Sequence, residues 1–228
     1  ATPAIYTTAK SSAASDVYKR QVSRDRSERW WGNVTSPGKG DPMSLNLRNY
    51  TKALYGMDAV VQRVPGDAWG SPTPCEGWTA SDVVAHCIGV MAALKKQVET
   101  GEFALPEHPD EPDDLLEAWN TARDETLEAL DQPGVLGREG NYWIGPGTVD
   151  DLLGFALWDP LTHSWDLATA TGVDAAGSDE LAAAAMPVIG EMAPTLRQMG
   201  LLADPIEVPA NAAMMDRFLG LTGRNPVA

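Results

Sequence analysis

The chain has 228 residues and a mass of 24.4 kDa, with 17 basic and 32 acidic side chains and a net charge of -15. At 43% hydrophobic and 21% charged residues it has the composition of a folded globular protein of one domain, or one domain plus an appendage. The acidity argues against nucleic acid or an anionic membrane surface as partners, no apolar run reaches the length of about 18 residues that a membrane-spanning helix needs, and two cysteines are too few for a disulfide framework. These features lead us to expect a cytoplasmic protein.

The charge is uneven. Residues 1–42 hold seven basic and four acidic groups, a net of +3, so residues 43–228 carry 10 basic and 28 acidic groups, a net of -18. The first segment is rich in Ser, Thr and Arg, has no apolar periodicity and lacks the hydrophobic stretch of a secretory signal. Its run SSAASDVYKRQ has the look of translated library-adapter sequence. We therefore expect residues 1–42 to be a non-native or disordered leader, with the native start at Met43 and the folded domain in 43–228.

From Met43 onward the patterns are helical. Leu47, Tyr50, Leu54, Met57 and Val61 recur at spacings of three and four between Leu45 and Val64, and Pro65 and Gly66 stop the helix. After the loop WGSPTPCEGW, Thr79 with Asp82 three residues on is a capping box that opens a second helix to about Gly101. A Pro- and acid-rich connection carrying His108 leads to a third helix through Leu115, Trp119, Ala122 and Leu127, ended by Pro133 and Gly134. Residues 134–147 suit a loop or a short hairpin. Thr148 with Asp151 repeats the capping box and opens a fourth helix to about Thr171, stopped by Gly172. Ser178 caps a fifth, running to Met199 with interruptions at Pro187 and Pro194, and a short last helix covers about Ala213 to Leu221. The expected fold is all-α, a four-helix bundle with a short C-terminal helical extension.

His86 shares a helical stripe with Val83, Val90, Ala93 and Leu94, and His163 shares one with Phe155, Asp159, Leu167 and Ala170, so both are expected to face inward. Asp159 and His163 are four apart and project from one helix face. Two imidazoles and a carboxylate are a donor set for Zn²⁺ or another divalent first-row ion, with a position left for water or a thiol. The same residues also read as hydrogen-bonded core histidines and a helix-face pair, and Asp166, three after His163, is an equal partner for it. Cys87 points about 100° away from His86 and is a poor co-ligand. Cys75, near a helix N-terminus, reads as a nucleophile or, more simply, as part of a loop shaping a rim. Trp78 and Trp165 read as packing groups.

Residues 73–89, TPCEGWTASDVVAHCIG, and 159–172, DPLTHSWDLATATG, resemble two segments of the DinB-like, mycothiol-dependent maleylpyruvate isomerase superfamily. The ending IEVPANAAMMDRFLGLTGRNP is similar to the close of its small actinobacterial-type members, so the resemblance spans the chain from Met43 onward. It implies a DinB four-helix bundle holding a divalent metal through His86, Asp159 and His163, with Zn the first expectation and Ni or Mn the alternatives. The isomerase has Glu where this chain has Asp159, one methylene shorter. It also carries a separate C-terminal domain that contributes to its active site, where this chain has only a tail of a few dozen residues. The resemblance therefore implies a metal-dependent thiol S-transferase or isomerase acting on a small electrophile with a low-molecular-weight, mycothiol-like thiol, rather than maleylpyruvate isomerisation itself. Bundle relatives often form homodimers, though nothing in this sequence specifies an interface. The competing class is a non-catalytic metal-binding bundle with a structural, sensing or partner-binding role.

Overall fold

The structure, a computed structural model, describes residues 43–102, 104, 114–175 and 177–226. The leader 1–42 and His108 in the acidic connection lie outside the described residues. Helix α1 is Leu45–Val61, α2 Ala80–Thr100, α3 Leu115–Leu130, α4 Val149–Ala156, α5 Trp158–Thr171, α6 Asp179–Gln198 and α7 Met214–Leu221. Between α3 and α4 a 3-10 turn at Val135–Gly137 leads into an antiparallel hairpin, β1 Glu139–Tyr142 with β2 Gly145–Thr148, paired Glu139 to Thr148 and Tyr142 to Gly145. The hairpin alternative for 134–147 is thus the one realised.

Local chemistry places the helix starts. Thr79 accepts from the Asp82 amide while the Asp82 carboxylate accepts from the Thr79 amide at 2.8 Å, and Thr148 and Asp151 repeat the same reciprocal pair. Ser44, Asp114 and Ser178 each accept from an amide three residues on. Gly101 and Gly172 close α2 and α5 in the left-handed region at φ of 73° and 69°.

The expected fourth helix is two, α4 and α5, joined through the still-helical Leu157. Pro160 in the first turn of α5 has no N–H to offer the carbonyl of Ala156, so the ladder breaks there and resumes. Pro187 and Pro194, expected to interrupt the next helix, do not: α6 is continuous around both. Its buried face, Leu181, Ala182, Ala185, Ile189, Ala193 and Leu196, packs in one apolar cluster with Leu157, Leu161, Ala53 and, from α7, Phe218 and Leu219. Burial of that whole face outweighs two missing backbone hydrogen bonds.

Helices α1, α2, α3 and the α4–α5 rod form the bundle: α2 lies against α3 and α5, and α1 against α4, α5 and α3, with α6 and α7 added on the α4–α5 side. The stripe Leu47, Tyr50, Leu54, Met57 and Val61 is buried in full, as its spacing predicts. No helix among the described residues is long and apolar enough to cross a membrane.

An ion pair from a buried arginine ties α1 to α3. Arg123, whose side chain is 2% exposed, donates to the Asp58 carboxylate, which also accepts from the Trp119 indole at 2.8 Å. Arg123 also donates to the Asp124 carboxylate at 3.0 Å and 3.1 Å, so removing Asp58 takes away one of its acidic partners and the acceptor of the Trp119 N–H together. Asp58→Ala is expected to cost about 2 kcal/mol in equilibrium urea unfolding, the scale of hydrogen bonds to a charged group, against about 1 kcal/mol for the cap variant Thr79→Ala. An Asp58→Ala loss no larger than the cap loss contradicts this account.

Candidate functional site

The site lies where α2 meets α5, and one carboxylate organises its near side. Asp159 sits at the second position of α5 and is 7% exposed. Its Oδ1 is 3.3 Å from His86 Nε2 and 3.6 Å from His163 Nε2, and the two imidazole rings are 5.0 Å apart at 73°. The break between α4 and α5 thus leaves Asp159 and His163 on one face, and α2 presents His86 to them. His163 is buried, whereas His86, turned toward it and Asp159, keeps 22% of its side chain in solvent, so one edge of the site is open. The Cys87 thiol is 3.8 Å from the other Asp159 oxygen and donates to it from behind. Burial pushes that thiol well up, and it remains a neutral donor outside the His86–Asp159–His163 group.

A second carboxylate organises the far side. Asp166 has no exposed surface. Its Oδ2 is 2.9 Å from His163 Nδ1, so both of the alternatives left by sequence are realised, one on each ring nitrogen of His163. The Arg224 guanidinium grips the same carboxylate through Nε to Oδ1 at 3.1 Å and Nη2 to Oδ2 at 2.7 Å, while the Cys75 thiol donates to Oδ2 at 3.3 Å. Cys75 Sγ is also 3.4 Å from Arg224 Nη2. Cys75, His163 and Asp166 thus form a second close donor set, but Arg224 already supplies its cation, and its distances are those of hydrogen bonds.

The electrostatics follow from burial and pairing. Burial disfavours the Asp166 charge, yet the hydrogen bonds from His163 and Arg224 hold its carboxyl well below the usual carboxylate range. Burial likewise opposes the Asp159 charge, and His163 and His86 reverse the balance and lower it. Burial acts to lower His86, and the bond to Asp159 with its charge raises it overall. The Cys75 thiol, desolvated and beside Asp166, is pushed up to about 12. In this arrangement it is a hydrogen-bond donor to Asp166 from the part-exposed loop.

The walls come from short-range turns. Cys75 to Trp78 form a turn closed by the Trp78 amide on the Cys75 carbonyl at 3.0 Å, with Gly77 at φ 79° in its third position. This turn sets the Trp78 ring 4.9 Å from His86 and 6.3 Å from His163, making Trp78 a wall of the site and not only a packing group. Trp165 packs instead against the α6–α7 cluster. Sequence reasoning missed Arg224 altogether. The signal available was a lone cation directly after the Gly223 stop, inside the ending LTGRNP.

The metal-free protein has a testable pH signature. The pKa of His86 is raised in the folded state, so its pairing with Asp159 contributes stability that is fully present below the unfolded value of about 6.5. That contribution disappears as pH rises through the folded value. In chelator-treated protein, the urea-stability gap between wild type and His86→Gln is expected to be larger near pH 5.5, about one unit below the unfolded value, than near pH 9. An equal gap at both contradicts the pairing.

Comparison with known proteins now places the chain. The family model described as "Mycothiol maleylpyruvate isomerase N-terminal domain" matches residues 50–168, the span that holds Cys75, His86, Asp159, His163 and Asp166. Two relatives from Mycobacterium tuberculosis, Uncharacterized protein Rv0738 of strain H37Rv and Uncharacterized protein MT0763 of strain CDC 1551, are each 32% identical over 185 residues, covering 78% of this chain and 97% of theirs. No solved structure gives a significant match. The helical bundle and the matched span together show that the chain belongs to the DinB-like family of the mycothiol maleylpyruvate isomerase N-terminal domain.

Proposed function

We propose that the bundle of residues 43–228 is a cytoplasmic, divalent-metal-dependent thiol transferase or isomerase, with His86, Asp159 and His163 as the metal ligands. The observation that carries this is a pair of distances. Asp159 Oδ1 stands 3.3 Å and 3.6 Å from the two imidazole nitrogens, beyond the 2.7–2.9 Å or so of a charge-assisted hydrogen bond. Two donors bound at about 2.0–2.2 Å to one tetrahedral ion stand about 3.4 Å apart. The His163–Asp166 hydrogen bond on the same ring is shorter, at 2.9 Å.

The donor chemistry supports the same reading. Two imidazoles and one carboxylate are the protein share of a catalytic zinc site, and among the described residues no fourth donor joins the three. Zn²⁺ suits this set best, with Ni²⁺ and Mn²⁺ as alternatives. Asp166 accepts the Nδ1 proton of His163, which leaves the Nε2 lone pair toward Asp159 and His86. Trp78 covers the two imidazoles, and the exposed edge of His86 leaves a way in for small molecules.

When bound, the ion lowers the pKa of a coordinating thiol so that its sulfur is thiolate at neutral pH. The chain's own thiols are poor sources of that nucleophile, because the half-buried Cys75 and the buried Cys87 both donate to carboxylates, which holds their protons. A low-molecular-weight thiol, mycothiol-like by the family's printed description, is therefore the co-substrate. Its sulfur forms a bond to the electrophilic carbon of a double bond conjugated to a carbonyl, and the π pair moves onto the carbonyl. Protonation of the neighbouring carbon gives the S-conjugate. If the enolate is not protonated, rotation about the former double bond and return of the pair, expelling the same thiolate, gives the cis–trans isomer.

The first test is elemental analysis of the chain purified without chelator or His tag. About one divalent ion per chain is expected for wild type, with His163→Ala and Asp159→Ala each retaining less than about a tenth of it while staying folded. Binding is also expected to weaken as pH falls through the raised pKa of His86, because the ligand nitrogen must give up its proton. No uptake of Zn, Ni or Mn by folded wild-type protein overturns the reading.

A further inference from the structure

The site is not finished by the four-helix bundle. Its last piece arrives from the end of the chain, through a helix stop that leaves little freedom. After α7, Gly223 at φ 82° donates to the Gly220 carbonyl at 3.1 Å, and the Arg224 amide donates to the Leu219 carbonyl at 2.8 Å. This pair of bonds is the Schellman arrangement, with glycine at its left-handed position. A Cβ on Gly223 would come within 2.6 Å of Ala203 Cβ and 3.0 Å of the Asp204 carbonyl, so space as well as conformation selects glycine. The motif fixes the direction in which the next residue leaves the helix, and Arg224 leaves it toward Asp166.

Every nitrogen of the guanidinium is engaged. Nε and Nη2 take the two oxygens of Asp166, Nη2 also meets Cys75 Sγ, and Nη1 donates to the Thr222 carbonyl at 2.8 Å. With both oxygens held, the Asp166 carboxylate plane is set, and Oδ2 falls on His163 Nδ1. A lone carboxylate on one hydrogen bond turns about its last torsion, whereas one gripped by a planar fork does not. The geometry points to Arg224 as a positioning residue: through Asp166 it holds the His163 ring with Nδ1 protonated and Nε2 directed at His86 and Asp159. The C-terminal tail is thus a working part of the site and not a bundle ornament. This inference rests on the metal reading only in its affinity arm.

The test uses the full chain, with Arg224→Ala and Arg224→Lys beside wild type. Lysine keeps the charge that Asp166 needs but not the two-pronged grip, so it remains usable if the alanine variant fails to fold. Two quantities are read: the Nδ1-bound proton resonance of His163 in ¹⁵N-labelled, metal-free protein, and the affinity for Zn²⁺ by chelator competition. In wild type the resonance is expected to be sharp and protected from exchange. In the variants it is expected to broaden or vanish, with Zn²⁺ affinity falling about 10–100-fold, the usual effect of losing support behind a ligand histidine. A merely structural role lowers the melting temperature and leaves both readings unchanged. Persistence of the protected resonance, or wild-type affinity, in a folded variant overturns the proposal. If wild type takes up no Zn²⁺, the metal reading fails on its own, and the resonance alone decides the role of Arg224.

Discussion

Two carboxylates buried on one helix govern how this molecule is put together. Asp159 and Asp166 lie on the inner face of α5, 7% and 0% exposed. A carboxylate removed from water is costly unless opposite charge and donated hydrogen bonds replace its hydration. The rest of the site is that replacement. His86 comes from α2, His163 stands between the two acids on α5 itself, the Cys75 loop adds a thiol donor, and Arg224 comes from the tail. The bundle, the loop before α2 and the C-terminal extension are held in register because each supplies a partner to one of two charges.

The two acids are satisfied differently, and the difference has a chemical meaning. Asp166 is saturated: His163, Arg224 and Cys75 all donate to it at hydrogen-bonding distance. Asp159 is not, since its two imidazole neighbours stand too far for strong hydrogen bonds and at the spacing of donors sharing an ion. His163 links the two, with one nitrogen fixed by Asp166 and the other free for the site. On the reading proposed above, the saturated side orients the side that would hold the ion. Asp166 itself is sealed, while His86 and Trp78 on the near side, and Cys75 and Arg224 on the far side, are each partly exposed.

What was legible in the sequence was local. The capping boxes at Thr79–Asp82 and Thr148–Asp151 are three-residue patterns with a fixed mechanism, and both form as read. The pairing of Asp159 with His163 is a four-residue spacing on one helix, and it survives Pro160 because Leu157 keeps helical backbone angles. Pro187 and Pro194 were misread for the converse reason: a local rule against proline gives way when a whole helix face is buried, which only the tertiary structure reveals. Arg224 was invisible on the same ground. It meets Asp166 across 58 residues and Cys75 across 149, and no spacing rule reaches that far. Cys75 looked like a rim residue because its Pro and Gly neighbours speak only of a turn. That turn is what carries its thiol to Asp166.

The central claim is that His86, Asp159 and His163 hold one divalent ion and leave a position for an incoming thiol. X-ray absorption fine structure on zinc-loaded protein, before and after addition of a low-molecular-weight thiol, tests it most directly. The account predicts a first shell of nitrogen and oxygen only, at about 2.0–2.2 Å with imidazole scattering behind it, gaining one sulfur at about 2.3 Å when thiol is added. Sulfur in the shell before thiol is added, which would place Cys75 or Cys87 on the ion, or a shell that does not change with thiol, would contradict it.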